Sequence, residues 1–145
     1  MDVNEKYFSN ITARERAIFE GGISMGALFH QFVGTPVNKD TKEGLERTIE
    51  ESFKLQPAIE DVEVKINLND NTEFDYISLS GDMLDVRIHT LIDNVKAVIR
   101  IEYINKSVPL CSFLKTYKHP SVKGCVQSVI CTWMTLTRNG IGSLP

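Results

Sequence analysis

The sequence lacks the features that mark membrane and secreted proteins. None of its apolar runs approaches the roughly 18–20 residues that a membrane-spanning helix requires. The best candidate, residues 126–136, is too short and contains several polar side chains. The first ten residues contain neither a basic n-region nor an apolar stretch, which is unlike a signal peptide. We therefore expect a cytoplasmic protein that has no membrane partner.

Cysteine and histidine are scarce, and neither is spaced like a metal site. The three cysteines are Cys111, Cys125 and Cys131, and their separations of 14 and 6 residues match no zinc template. The chain contains no phosphate-binding loop, dinucleotide fingerprint or nucleophile elbow. We expect reduced thiols and no metal centre, because the three histidines also lie far apart in the sequence (His30, His89 and His119).

Acidic residues are absent from the end of the chain. All 19 lie at or before Glu102, where 11 Lys and Arg leave a net charge of 11 − 19 = −8. Residues 103–145 carry five basic residues and no acid, a net charge of +5. The overall charge of −3 argues against nucleic acid as a partner. We expect one domain over residues 1–107 and a basic C-terminal extension over residues 108–145, which could dock on an acidic body.

Local signals predict two helices near the N-terminus. Thr12 and Glu15 form a capping box, so the first helix should begin near Ala13 and should end at the Gly-Thr-Pro of residues 34–36. A second helix should end before the proline of residues 55–57. Asp40 and Glu43 are the predicted caps of this helix. Its predicted buried stripe consists of Leu45, Ile49 and Phe53.

The first predicted helix contains an unusual stripe of small residues. Gly22, Gly26 and His30 recur every four residues, so they share one face. Each glycine costs a helix about 1 kcal/mol relative to alanine. Close packing against another helix or strand, and space for a flat ligand, are two compatible interpretations that the sequence leaves open.

Alternating apolar residues predict strands after the helices. The pattern runs through residues 62–68, 84–88 and 95–103, with a shorter candidate at 76–79 and a turn at Asp93-Asn94. The order predicts an α+β fold in which two N-terminal helices pack on an antiparallel sheet of three to four strands. The pattern at residues 126–133 fits a further strand or a short helix equally well.

Four stretches resemble the archaeal dihydroneopterin aldolase family. Their order and spacing agree with that family across about residues 3–105. Residues 108–145 do not fit the pattern, so no function is carried over to them. The matching stretches are AIFEGGISMGALFHQFVGTPV (17–37), LERTIEESFKLQP (45–57), Tyr76 with GDMLDVR (81–87), and IEY (101–103).

The resemblance implies a retro-aldol reaction on a small pterin. Dihydroneopterin is cut between C1′ and C2′ to 6-hydroxymethyl-dihydropterin and glycolaldehyde, for methanopterin or folate-type cofactor synthesis. The C6=N5 imine of the substrate accepts the electrons, so neither a cofactor nor a metal is required. The resemblance also implies a homotetramer with active sites near subunit contacts.

The resemblance assigns five site residues. A carboxylate can accept the two parallel N–H groups of the 2-amino-4-oxo edge, and Glu20 is the candidate. His30 is expected to bind the side chain or carry a proton, Gln56 to hydrogen-bond the ligand, and Tyr103 to relay a proton to C1′. Tyr76 is an alternative for that last role. The first proton acceptor is not identified, and a bound water could serve.

Other interpretations compete with this one. Glu20, His30 and Gln56 could be ordinary helix residues, and Tyr103 an aromatic core residue. The chain could also be a non-catalytic pterin-binding or oligomeric scaffold of the same fold, or a metal-dependent hydrolase. Asp85, Arg87 and His89 alternate along one face of a predicted strand. We expect them to form structural ion pairs across the hairpin with Lys96, Arg100 or Glu102.

Overall fold

The computed structural model describes residues 6–68, 75–104, 108–118 and 127–132, with side chains for 6–68 and 75–103. Two helices, separated by a short strand, precede the longer strands. Neither described helix combines the length and apolarity needed to cross a bilayer. In chain order the elements are α1 (Ala13–Phe32), β1 (Pro36–Val37), α2 (Lys42–Phe53), β2 (Ile59–Ile66), β3 (Ile77–Ser78), a 3₁₀ turn (Gly81–Met83), β4 (Leu84–Ile92), β5 (Val95–Ile104), β6 (Val108–Lys118) and β7 (Gln127–Thr132).

The capping box that begins α1 is present as predicted. The Thr12 hydroxyl accepts a hydrogen bond from the Glu15 backbone N–H, and a Glu15 carboxylate oxygen accepts one from the Thr12 N–H at 2.7 Å. The helix ends at Phe32, and Gly34 then adopts a φ of +96°, which favours glycine. The predicted bounds of this helix are therefore confirmed.

The start of α2 corrects one expectation. Thr41, not Asp40, is the residue that precedes the helix, and its side chain makes no capping hydrogen bond. The Asn38 side chain instead accepts from the backbone N–H groups of Asp40 at 3.1 Å and Thr41 at 2.9 Å. The hydrogen bond from the Asp40 N–H to Asn38, two residues earlier, forms a turn. Asn38 can accept it because a short amide side chain mimics a backbone carbonyl.

Five strands form one antiparallel sheet in the order β2-β4-β5-β6-β7, and β1 pairs with β3 in a two-stranded sheet. Two helices on antiparallel sheets confirm the α+β class. The strand count exceeds three to four because β6 and β7 extend the sheet beyond β5. Residues 127–132 are thus a strand, although Val126 and Trp133 lie outside the described residues. The domain boundary at 107 stays a prediction.

The core lies between α1 and the sheet. Strand β4 alternates strictly between buried and partly exposed residues, and its buried side faces the helices. A Cβ atom on Gly21 would lie 2.1 Å from Ile99 Cδ1, so only glycine allows α1 this close to β5. The buried Thr90 hydroxyl donates to the Ala17 carbonyl at 2.9 Å, which ties the helix to β4.

Helix α2 covers the free edge of β2. Among the described strands, β4 is the only one that pairs with β2, which leaves alternate backbone N–H groups of β2 facing outward. The Glu50 carboxylate accepts from the N–H of Val64 at 2.8 Å, and the Glu46 carboxylate accepts from the N–H of Ile66 at 2.6 Å. Two glutamates one helical turn apart therefore satisfy the exposed donors of this edge strand.

Ion pairs cover the outer face of the sheet. Arg100 donates to both oxygens of Asp85, at 3.0 and 2.7 Å, so the predicted structural pairing of Asp85 is confirmed. Arg87 and His89 pair instead with Glu63 on the neighbouring strand β2, at 3.7 and 2.9 Å. Register explains this choice, because Glu63 lies directly opposite Arg87 across the β2–β4 pair.

Candidate active site

Glu20 lies in the middle of α1, at the margin of its buried face. Its neighbour Gly21 is buried against the sheet, whereas Gly22 is exposed. The Glu20 side chain keeps 27% of its surface exposed, and one carboxylate oxygen lies 3.6 Å from Arg16 Nε, one turn earlier in the helix. Because the ion pair is loose and the carboxylate is partly exposed, Glu20 can accept hydrogen bonds from a ligand.

Gln56 is held beside the same part of α1. It follows α2 in a turn, where its backbone N–H donates to Phe53 and its carbonyl accepts from Ile59. The hydroxyl of Ser24 donates to the Gln56 side-chain carbonyl at 2.9 Å, although 32 residues separate the two in sequence. Ser24 is one helical turn after Glu20, so this contact places Gln56 near the proposed carboxylate.

Tyr103 lies near the end of β5, where three elements meet. A Cβ atom on Gly81 would lie 2.2 Å from Phe29 Cζ and 3.0 Å from Tyr103 Oη. The end of α1, the 3₁₀ turn and β5 therefore pack closely together around the α-carbon of Gly81, which has no side chain. Burial first, and then the negative charge of Asp82, raise the pKa of the Tyr103 phenol above its ordinary value.

His30 and Tyr76 lie on the surface of the single chain. The His30 side chain is exposed on α1, and Tyr76, just before β3, has 55% of its surface exposed. Within the described residues neither side chain has a hydrogen-bond or ionic partner. The structure thus joins Gln56 to the helix that bears Glu20, and it does not bring His30 or Tyr76 into contact with them.

The glycine stripe of α1 also faces outward. A Cβ atom on Gly22 or Gly26 would meet no described atom within 4 Å, so these glycines serve no packing contact within the described part of the chain. Phe19 and Ile23 flank them on the same face and are 56% and 54% exposed. This outer face of α1, defined by Phe19, Gly22, Ile23, Gly26 and His30, is apolar and smooth, and within the described residues it is uncovered.

Three residues at the site were not foreseen from the sequence. Ser24 carries no motif, although a serine in the middle of a helix on its buried face suggests a specific hydrogen bond. Gly81 and Asp82 belong to a stretch that resembled the family, yet their pattern indicated only the end of a strand. Their contact with Tyr103 depends on tertiary packing, which no local pattern encodes.

A groove of about 520 Å³ lies elsewhere, between α2 and the strands β2 and β4. None of the predicted site residues lines it. Its carboxylates are engaged with the β2 backbone or in the ion pairs of the sheet, as with Glu46, Glu50 and Asp85. Within the described residues no three potential ligands gather to hold a metal ion. The groove therefore belongs to the edge cover of the sheet.

Comparison with known proteins agrees with the sequence resemblance. The sequence model of the family described as dihydroneopterin aldolase matches residues 12–113. Two curated relatives named dihydroneopterin aldolase are each 42% identical to the chain. The relative from Methanopyrus kandleri aligns over 104 residues, 70% of this chain and 86% of its own. The relative from Picrophilus torridus aligns over 89 residues, 60% and 73% of the two chains.

A solved structure has a similar fold. The crystal structure of a protein from Picrophilus torridus superimposes with a TM-score of 0.68 and 34% sequence identity. The match covers 88% of this chain and 97% of the other. The family match spans well over half of the sequence, and both curated relatives come from archaea. The chain therefore belongs to the dihydroneopterin aldolase family, in its archaeal form.

Proposed function

We propose that the protein is an aldolase that cleaves 7,8-dihydroneopterin between C1′ and C2′. The products are 6-hydroxymethyl-7,8-dihydropterin and glycolaldehyde, and the reaction serves methanopterin or folate-type cofactor synthesis in the cytoplasm. Membership of the family supports the enzyme class. The observation that carries the proposal is the contact between Ser24 and Gln56, which sets a ligand-binding amide beside the helix turn of Glu20.

The substrate supplies its own electron sink. Removal of the 2′-hydroxyl proton breaks the C1′–C2′ bond and releases glycolaldehyde, and the electron pair left at C1′ moves into the C6=N5 imine to form an enamine. Protonation at C1′ then restores the imine and completes the product. The protein must therefore grip the ring, orient the side chain and move two protons.

Glu20 provides the grip on the ring. The 2-amino group and N3–H of the pterin form two parallel donors, and an ionised carboxylate accepts both. The partly exposed position of Glu20 leaves its oxygens accessible, and the loose contact with Arg16 can be exchanged for ligand hydrogen bonds. Such charge-assisted hydrogen bonds are roughly twice as strong as neutral ones.

Tyr103 provides the proton for C1′. Burial and the charge of Asp82 raise the pKa of this phenol above its ordinary value, so it holds its proton at neutral pH and can donate it to a forming carbanion. Gly81 and Phe29 restrict the space around the hydroxyl and fix its place. The first acceptor of the 2′-hydroxyl proton is a bound water or His30, which lies next to Phe29 in the same turn.

The remaining site residues and the outer face of α1 support a homotetramer. His30 lies on this face, which within the described residues is uncovered, and Tyr76 is exposed elsewhere on the surface. Two bare glycines allow another helix to approach closely, and the exposed Phe19 and Ile23 supply apolar surface. A neighbouring subunit on this face would enclose His30 and complete a site whose parts the single chain leaves separate.

The test is turnover of the substrate by the purified protein. We expect 7,8-dihydroneopterin to be converted to 6-hydroxymethyl-7,8-dihydropterin, detected by chromatography with fluorescence, at the same rate with and without EDTA. Pterin binding without any product would contradict the proposal and favour the non-catalytic scaffold. Loss of activity in EDTA that added metal restores would favour a metal-dependent reaction instead.

A further inference from the structure

Ser24 is a buried hydroxyl that bonds to an exposed side chain. It is only 3% exposed, on the face of α1 that packs on the sheet. Its hydroxyl donates to the side-chain carbonyl oxygen of Gln56 at 2.9 Å. A buried hydroxyl without a partner is unfavourable, so this hydrogen bond is favoured.

In the structure, the oxygen of the Gln56 amide faces Ser24 and the NH₂ group faces outward. A glutamine amide has one acceptor oxygen and one NH₂ group with two donors, on opposite sides. The oxygen is engaged by Ser24, and within the described residues the NH₂ group has no partner. The exposed end of Gln56 therefore presents donors.

This orientation complements the edge of a pterin. Along that edge the 2-amino group and N3–H are donors, and the 4-oxo oxygen and N5 are acceptors. Glu20 accepts from the first two, so the second two require a donor nearby. Ser24 lies four residues after Glu20, a rise of about 6 Å along the helix axis, which sets the Gln56 donors beside the carboxylate.

We propose that Ser24 is a positioning residue that turns Gln56 so that its amide donates to the 4-oxo oxygen, and that this contact makes the site selective for 4-oxo over 4-amino pteridines. The inference rests on the proposed function, since it takes Glu20 and Gln56 as ligand-binding residues. A 4-amino group would face the NH₂ group donor to donor, which leaves both unpaired. A 4-amino pteridine also lacks the N3–H that Glu20 binds, and because Glu20 is the same in all variants, a change of preference between variants reports the Gln56 contact alone.

The test compares two probes in three proteins. Pterin (2-amino-4-oxopteridine) and 2,4-diaminopteridine are titrated by fluorescence quenching into the wild type, Ser24→Ala and the matched control Ser52→Ala. Ser52 is an exposed serine of α2 whose hydroxyl has no hydrogen bond within the described residues. We expect the ratio of the two affinities to fall about 3- to 10-fold in Ser24→Ala, because the freed amide can rotate, and to stay unchanged in the control.

Other outcomes separate the two proposals. If the wild type binds neither probe, the proposed function fails and this inference with it. If the wild type prefers pterin and Ser24→Ala keeps the same preference, or loses affinity for both probes equally, the role of Ser24 is refuted while the proposed function stands.

A second variant covers the case in which Ser24→Ala does not fold. Gln56→Glu keeps the shape of the side chain and an acceptor for Ser24, but it lacks the NH₂ donors. We expect it to lose pterin affinity and to gain affinity for 2,4-diaminopteridine. An unchanged preference in a folded Gln56→Glu protein would rule out donation from Gln56 to the 4-oxo oxygen.

Discussion

At the scale of single residues, Glu20 illustrates how position changes the meaning of a common side chain. A glutamate in a helix usually faces water, and Arg16 one turn earlier supplies an ordinary partner. Its place between the buried Gly21 and the turn that holds Gln56 makes it a ligand-binding candidate instead. The adjacent glycines are visible in the sequence, whereas the position of Gln56 beside this helix required the structure.

Replacement of this carboxylate should weaken pterin binding. We expect Glu20→Ala to reduce affinity for pterin about 10-fold or more, because two charge-assisted hydrogen bonds are lost. Glu51→Ala, on the exposed side of α2, is the matched control and should bind as the wild type does. Isothermal titration calorimetry measures both, and unchanged affinity in Glu20→Ala would remove the assigned role.

Gly81 should be sensitive to the smallest substitution. We expect Gly81→Ala to lower kcat about 10- to 100-fold, because the new methyl group displaces Phe29 and crowds the Tyr103 hydroxyl. Gly44→Ala is the control, since a Cβ there meets no described atom within 4 Å. Phe29→Leu added to Gly81→Ala should recover part of the activity. A fully active Gly81→Ala enzyme would show that the phenol needs no such packing.

At the scale of elements, the sequence predicts those helix and strand boundaries that depend on residues close together in the chain. The capping box and the Gly-Thr-Pro stop gave the bounds of α1, and strict alternation gave β4 and β5. Asp40 was the wrong cap for α2, because the Asn38 side chain holds the N–H groups of Asp40 and Thr41 in a turn and the helix begins only at Lys42. The Ser24–Gln56 contact could not be predicted, because it joins two elements that only the packing of α1 on the sheet brings together.

The N-terminal cap of α1 should contribute measurably to stability. We expect Thr12→Ala to lower the free energy of unfolding by about 1 kcal/mol in chemical denaturation, since an N-cap hydroxyl is lost. Thr48→Ala on the exposed side of α2 should change it by no more than about 0.5 kcal/mol. Equal effects of the two substitutions would mean that the cap is not what stabilises this end of the helix.

The same cap should depend on pH. Hydrogen bonds from the backbone and then the side chain of Thr12 lower the pKa of Glu15 below its ordinary value. A carboxyl with a lowered folded pKa stabilises the protein above its unfolded pKa of 4.5 and loses that contribution as pH falls through the folded pKa. Denaturation of the wild type and Glu15→Gln between about pH 6 and 3 should therefore converge at the acidic end. Parallel curves would contradict this linkage.

At the scale of the whole molecule, the outer face of α1 decides the assembly. We expect the wild type to form a homotetramer, and Ile23→Lys to reduce its mass in sedimentation velocity, because a charge would lie in an apolar contact. Leu55→Lys is the control, since Leu55 is 85% exposed and follows α2 instead of belonging to α1. A monomeric wild type, or a tetramer that Ile23→Lys leaves intact, would exclude this face as the contact.

The two glutamates that bind the backbone of β2 have a consequence for how the sheet can grow. An open strand edge is a template on which any extended polypeptide can nucleate, and repeated addition leads to fibrous aggregates. Glu46 and Glu50 occupy the outward donors of β2, so an incoming strand would have to displace two carboxylates before its first rung could form. Helix α2 thus blocks polymerisation from this side of the sheet, in addition to the register shift between Ile59 and Asp61 at the start of the edge strand.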